Sequence, residues 1–419
     1  MSGHPNKRSG SSRRARNTRS SVAPPLDNRP PTSVGLFAGI GGIELGLHSA
    51  GFETVLLSEI DPAARAVLEH RFPDIELHGD IRTLQELPQV ELVAGGFPCQ
   101  DLSQAGRTAG IRGRNSGLVG EVFRLVERAE TGPRWLLLEN VPFMLQLERG
   151  RAMDYLTTQL EELGFDWAYR VVDARSFGVP QRRKRVVLVA SRSDDPRTVL
   201  FADDAGERLF PRREDSACGF YWTEGLRGLG WAIDAVPTLK GGSTIGIPSP
   251  PAIWLARGGI VVPDIRDTER LQGFEADWTE PAMHTGRRGA ALRWKLVGNA
   301  VSVPVAAWVG RHFREPQEYD AGLDDGPPRA HGRRWPVAAY GIGGNRQAVN
   351  VSEWPVHDRF TPLGEFLQYP TRDLSPRATA GFLERARRSS LRFPHGFLDA
   401  VEAHLEQVSG KPDQLALAG

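Results

Sequence analysis

Between Ser33 and about Ala190, short apolar runs alternate with segments whose apolar residues recur at helical spacing. Few folds accommodate such an alternation. Val34 to Ala38 reads as a strand, and Ile43, Gly46, Leu47 and Ala50 then share one helical face. Gly51 stops that helix, Thr54 to Leu57 is the next strand, and Pro62 opens another helix at its first turn. Val90–Gly96, Trp135–Leu138 and Val186–Ala190 read as further buried strands. Helical faces lie at Leu118, Val122, Leu125 and Val126, and at Met153, Leu156, Leu160 and Leu163. The expected architecture is a doubly wound α/β domain over residues 33–190.

Two of these strands end in chemistry. Val90–Gly96 runs into Phe97-Pro98-Cys99-Gln100, and Trp135–Leu138 runs into Glu139-Asn140. Neighbouring strand ends place a thiol and a carboxyl at one edge of a parallel sheet, where open α/β folds bind their ligands. A thiol nucleophile beside a proton donor suits covalent attack on an electron-poor ring.

Composition narrows the setting. Apolar residues make up 40% of the 419 and charged residues 25%, which fits a globular protein. No apolar run approaches the roughly 20 residues of a membrane span, and no secretory h-region opens the chain. The only cysteines are Cys99 and Cys218, so a disulfide framework is not expected and a cytoplasmic setting is. Only five lysines accompany the many arginines. Arginine's planar donor fork suits phosphate and guanine edges, although a compositional bias toward arginine explains the excess equally well.

Residues 1–32 carry seven basic side chains and one acid, Asp27, and read as a disordered basic tail. Residues 191–263 are rich in glycine and proline with little periodicity, the signature of a loop-rich functional surface. Residues 264–310 return to helical pattern. Residues 311–419 read as an accessory, partly helical extension, with a cap signal at Ser375-Pro376 and an apolar face at Phe397, Leu398, Val401 and Leu405.

Phe37-Ala38-Gly39-Ile40-Gly41-Gly42 follows the first strand and opens the first helix. Glycines there let a ligand approach backbone and helix N-terminus. Glu59 lies 20 residues past Gly39, at the end of the second strand, where a ribose ligand is expected. Asp80 follows the next short strand. Each acid could also be a helix cap.

In this order, the motifs resemble those of the cytosine-C5 DNA methyltransferase family over roughly residues 33–310. The resemblance rests on Phe37–Gly42, Ser58-Glu59-Ile60-Asp61 and Gly79-Asp80-Ile81 in one half. In the other it rests on Gly96–Gly106 around Pro98-Cys99-Gln100, Ser116-Gly117-Leu118, Glu139-Asn140-Val141 and Gln181-Arg182-Arg183-Lys184-Arg185. Arg266–Phe274 resembles the ninth family block, with Asp267 where Glu is usual, and Gly298-Asn299-Ala300-Val301 the last. Gly35 stands where the family often has Asp.

The resemblance implies a Rossmann-like, S-adenosylmethionine-dependent methyltransferase domain with a small target-recognition domain and a C-terminal helical extension. It implies that Phe37, Gly39, Gly41, Gly42, Glu59, Ile60, Asp80, Ile81, Pro98, Leu118, Asn299 and Ala300 bind the cofactor, without a metal. S-adenosylhomocysteine is the product. Glu59 is expected on the ribose hydroxyls, Asp80 on the adenine amino group and Phe37 against the adenine ring. Cys99 is expected to add to cytosine C6, with Gln100 beside it. Glu139 is expected at ring N3, oriented by Asn140, and Arg185 with Arg183 at the base O2 and a nearby phosphate. For removal of the C5 proton the sequence names no base, and water is the candidate.

A base inside a duplex cannot reach Cys99, so the resemblance implies base flipping, at a cost of a few kcal/mol. The segment from Gln100 to Gly117, with Ser103, Arg107, Arg112 and Arg114, resembles the mobile family loop. Thr238-Leu239 resembles a threonine–aliphatic pair near the flipped nucleotide. Arg227, Lys240, Ser243, Thr244 and Arg257 are candidate readers of base edges. The implied partner is double-stranded DNA, with a cognate restriction endonuclease as a further partner, no membrane, and a monomeric, nucleoid-associated state. Three alternatives stay open on sequence alone: a tRNA cytosine-C5 methyltransferase, a non-catalytic DNA-binding homologue, and a dinucleotide-dependent oxidoreductase.

Overall fold

The structure is a computed structural model, and it describes residues 29–98, 117–242, 248–286, 288–328 and 334–410. Cys99, Gln100, Ser103, Arg107, Arg112, Arg114, Ser243 and Thr244 lie outside the described residues.

The strands in chain order are β1 (Thr32–Leu36), β2 (Glu53–Ser58), β3 (Glu76–His78), β4 (Leu92–Gly96), β5 (Trp135–Asn140), β6 (Asp166–Asp173), β7 (Gln181–Arg182), β8 (Lys184–Ser191), β9 (Cys218–Phe220), β10 (Trp231–Ile233), β11 (Val236–Pro237), β12 (Ala252–Trp254), β13 (Ile260–Val262), β14 (Ala338–Ile342), β15 (Asn345–Ala348) and β16 (Arg372–Asp373). Among the described residues, nine strands form one sheet in the order β15-β14-β6-β8-β5-β4-β1-β2-β3. The half from β3 to β5 is parallel, as expected of a doubly wound fold. Beyond β5 neighbours are antiparallel, because β8 returns as a hairpin partner of β6.

Alternation along the central strands explains their unbroken apolar sequence. Val93, Leu136, Leu138, Val186 and Leu188 face one layer, and Leu92, Ala94, Leu137, Val187 and Val189 the other. Helices α1 (Gly42–Ser49) and α2 (Pro62–Arg71) follow β1 and β2. Helices α3 (Leu118–Arg128) and α4 (Arg151–Glu162) cover the first layer through Val122, Leu125, Val126, Met153, Leu156 and Leu160. Burying each such side chain stabilises the fold by about 1.5–3 kcal/mol. After α5 (Arg197–Leu200), α6 (Ile265–Leu271) and α7 (Gly289–Asn299), α8 (Val303–Arg314) covers the second layer together with α1. The last family block therefore folds back on the first: a Cβ at Gly42 would meet the Val301 carbonyl at 2.4 Å.

The segment 311–419 supplies strands as well as helices. β14 and β15 complete the edge of the large sheet, with β14 pairing with β6. β16 joins a five-stranded sheet, β10-β9-β12-β13-β16, whose other strands come from residues 218–262. After the short α9 (Leu363–Phe366), α10 (Pro376–Arg388) and α11 (Phe397–Ser409) pack on that sheet. There Phe382 and Phe397 meet Phe220 at ring-centroid distances of 4.6 and 5.0 Å. Ser375 caps α10 by accepting from the Ala378 amide, as the sequence signal predicts. Asp267, fully buried, accepts from the Gln368 and Tyr369 amides and so ties α6 to this segment.

Candidate active site and cofactor seat

β4 and β5 are neighbours, and Gly96 pairs with Glu139. A Cβ at Gly96 would lie 3.2 Å from Glu139 Oε2, so the carboxyl stands directly over the strand end that leads to Pro98 and Cys99. The side-chain amide of Asn140 donates to the Phe97 carbonyl at 3.0 Å and fastens the two strand ends together. Its Oδ1 accepts from the Val141 amide. Asn140 thus orients the turn after Glu139 through the backbone.

Arg185, on β8, places Nε 2.8 Å from Glu139 Oε1. Both side chains are nearly closed to solvent, at 11% and 12% exposure. Burial pushes the Glu139 carboxyl above the usual carboxylate range, and the Arg185 and Arg183 charges only partly offset it. The acid therefore keeps a proton to higher pH than an exposed glutamate. Pro98 is exposed at the same edge.

Arg183 lies deeper. It is 1% exposed, and its guanidinium donates to the carbonyls of Leu239 at 3.0 Å, Gly298 at 3.2 Å and Ala300 at 2.5 Å. It binds three segments together. Gln181 acts alongside it, donating to the Leu271 carbonyl and accepting from the Leu239 amide. Two glycine motifs cross at this junction. A Cβ at Gly298 would lie 2.1 Å from the Lys240 carbonyl carbon, and one at Gly241 would lie 2.2 Å from Asn299 Oδ1. Asn299 is exposed there and Ala300 is buried.

The candidate DNA contacts divide. The Thr238 hydroxyl donates to the Arg182 carbonyl at 2.7 Å, beside the Arg183 junction. Lys240 pairs with Glu224 at 3.0 Å and lies over the Tyr221 ring. Arg227 is exposed, and Arg257 is exposed on the turn between β12 and β13. Tyr221, one of the aromatics of the Gly219–Trp222 run, donates to the Thr238 carbonyl and interacts with Arg183 and Arg185; burial pushes its hydroxyl up to about 12.

At the other half of the edge, Glu59 accepts from the amides of Gly39 at 2.8 Å, Ile60 at 2.9 Å and Asp61 at 2.8 Å. It joins the end of β2 to the glycine turn. Gly39 has φ +57° and open space where a Cβ would stand. Phe37, with φ 55°, is a non-glycine residue in the left-handed region, a strained conformation of the kind that clusters at binding sites. Ile60 is 61% exposed beside this carboxylate. Gly41 and Gly42 are buried under Phe72 and Val301. Asp80 does act as a cap, accepting from the Arg82 amide over Ile81–Thr83, and it also pairs with the Arg82 guanidinium. Arg82 holds its carboxyl below the usual range. Ile81 is buried and Leu118 half-buried at the start of α3.

A glycine turn at the end of β1, an acid at the end of β2 and a closing helix α8 define the class: a doubly wound α/β methyltransferase of the S-adenosylmethionine-dependent kind. The solved structure of the S. pombe Dnmt2 methyltransferase shares the fold, at 17% identity and a TM-score of 0.51 over 68% of this chain and 98% of that one. A family model, C-5 cytosine-specific DNA methylase, matches residues 32–217. Type II methyltransferase M2.BsuMI of Bacillus subtilis (strain 168) is 49% identical over 381 residues, 88% of this chain and 97% of that protein. Type II methyltransferase M.MspI of Moraxella sp is 30% identical, over 67% of this chain and 69% of that protein.

The chain belongs to the C-5 cytosine-specific DNA methylase family. It is a DNA (cytosine-5-)-methyltransferase, and the oxidoreductase reading of the glycine turn falls away.

Proposed function

We propose that the protein methylates C5 of one cytosine, flipped out of a specific double-stranded DNA sequence, through a covalent Cys99–C6 adduct. The observation that carries this reading is the convergence of Glu139, Asn140 and Arg185 on the strand end that leads into Pro98 and Cys99. The extended similarity to a Type II methyltransferase supports a role in restriction–modification, with a cognate endonuclease as a partner.

The cofactor seat fits S-adenosylmethionine. Gly39 leaves room over the turn, Glu59 offers a carboxylate to ribose hydroxyls, and exposed Ile60 offers an apolar wall. Phe37 and Asp80 complete the proposed adenine side, where the partly exposed Asp80 carboxylate, paired with Arg82, offers a further acceptor to the amino group. When bound, the cofactor supplies an electrophilic methyl group.

The protein's residues do the rest. The Cys99 thiolate adds to C6 and makes C5 electron-rich. Glu139 supplies the proton at N3 as the adduct forms, which its raised protonation range permits. Arg185 holds Glu139 by an ion pair and offers its remaining N–H groups to the base O2. Arg183 and Gln181 hold the Thr238–Lys240 segment against these strands, so base selection is tied to the catalytic edge. Among the described residues no helix is long and apolar enough to cross a membrane.

The test is methyl transfer from labelled S-adenosylmethionine to duplex DNA and to tRNA, with nucleoside analysis of the product. The reading expects 5-methyldeoxycytidine in DNA. Labelling confined to tRNA, or on adenine, overturns it. Methylation mapping of DNA from an expressing host then identifies the site.

A further inference from the structure

The first helix carries a carboxyl that no step above uses. Glu44, in the first turn of α1, is 1% exposed, and neither of its carboxyl oxygens has a hydrogen-bond partner among the described residues. It is lodged against β1 and β2, beneath the glycine turn. A Cβ at Gly35 would come within 2.0 Å of Glu44 Oε1 and 2.9 Å of Leu57 Cδ2. Gly35 therefore leaves the space that this acid fills.

An unpaired buried carboxyl resists ionisation. Burial lifts Glu44 from 4.5 to about 7; its own backbone amide opposes the shift in part, and the carboxylate of Glu59 adds to it. Around Glu44, Gly35 faces it from β1 beside Leu57 of β2, and the charged group that acts on it is Glu59 at the end of β2. A cation arriving at the turn above reverses the balance, because charges interact strongly across a protein interior. The two ligands of this seat differ in that respect. S-adenosylmethionine carries a sulfonium charge, and S-adenosylhomocysteine is a neutral thioether.

We infer that Glu44 is a selectivity residue for the methyl donor, its buried carboxylate favouring the sulfonium form over the spent thioether. Near neutral pH the Glu44 carboxyl releases protons to solvent when the donor binds, about half a proton for each protein at a coupling of one pK unit, and takes them back when the product replaces it. No other bond changes at Glu44. The inference rests on the proposed use of S-adenosylmethionine.

Calorimetric titration of the full-length protein with each ligand, at about pH 6 and about pH 8.5, tests it. A coupling of one pK unit, from about 7 to about 6, raises the donor-to-product affinity ratio about fivefold between those values. The ligands' shared amino and carboxyl groups cancel in the ratio. Glu44→Gln is expected to keep binding both ligands with a ratio that does not change with pH. Should that variant not fold, wild-type titrations in buffers of different ionisation enthalpy decide instead: near pH 6.5 about half a proton more is released with the donor than with the product. A pH-independent wild-type ratio, equal proton release, or a slope that survives in Glu44→Gln overturns the inference. Failure of both ligands to bind at either pH overturns the cofactor reading beneath it.

Discussion

Arg185 Nε lies 2.8 Å from Glu139 Oε1, and this ion pair joins the ends of two antiparallel strands at the edge that leads to Cys99. It places a carboxyl that takes up a proton more readily than an exposed glutamate beside a permanent cation, where a flipped base is proposed to sit. Glu139→Gln is expected to lose 10²-fold or more in turnover, the scale of a lost proton donor. The pH profile carries the sign. The acid form works, so the rate falls as pH rises through the raised Glu139 value. Removing the Arg185 charge in Arg185→Ala lowers the rate and moves that alkaline limb upward. A limb that stays in place would detach Arg185 from the acid.

Arg183→Ala has a different expected signature. Its loss strands three carbonyls at a closed junction, which costs at least about 3 kcal/mol. Chemical denaturation reads this directly. Wild-type stability with abolished turnover would return Arg183 to the base.

The two arginines show how far the sequence reaches. The resemblance to the family block assigns both Arg183 and Arg185 to the base. Their division depends on carbonyls at Leu239, Gly298 and Ala300, which no local pattern places beside Arg183. Local signals fared better: the Ser375 cap, the apolar face from Phe397, and the strands into Pro98 and Glu139 are all where periodicity puts them. β14 was illegible because Ala338–Ile342 becomes a strand only by pairing with β6, far away in sequence. Glu44 left one signal, a charge on the otherwise apolar face of Ile43, Gly46 and Leu47.

Glu44 also sets a stability slope. Folded Glu44 holds its proton to about pH 7, whereas an unfolded glutamate releases it near the model-peptide value of about 4.3. The unfolded chain thus binds fewer protons between those values, and stability falls as pH rises through that window, then levels. Without ligand, Glu44→Gln is expected to remove this slope and to be more stable at pH 8 by on the order of 3 kcal/mol. Denaturation midpoints across pH check it, and identical slopes in both proteins would contradict it.

Asn140→Ala breaks the link to the Phe97 carbonyl and leaves that group unsatisfied, at about 1–3 kcal/mol. Turnover is expected to fall more than cofactor affinity, because Asn140 lies at the catalytic half of the edge. Equal losses in both would make its role purely structural.

The central claim is the Cys99 nucleophile, and methyl transfer by Cys99→Ser with a parallel DNA-binding assay tests it most directly. The expected result is binding of the target duplex close to wild type with no detectable 5-methyldeoxycytidine. Substantial turnover by the serine variant would contradict the covalent mechanism.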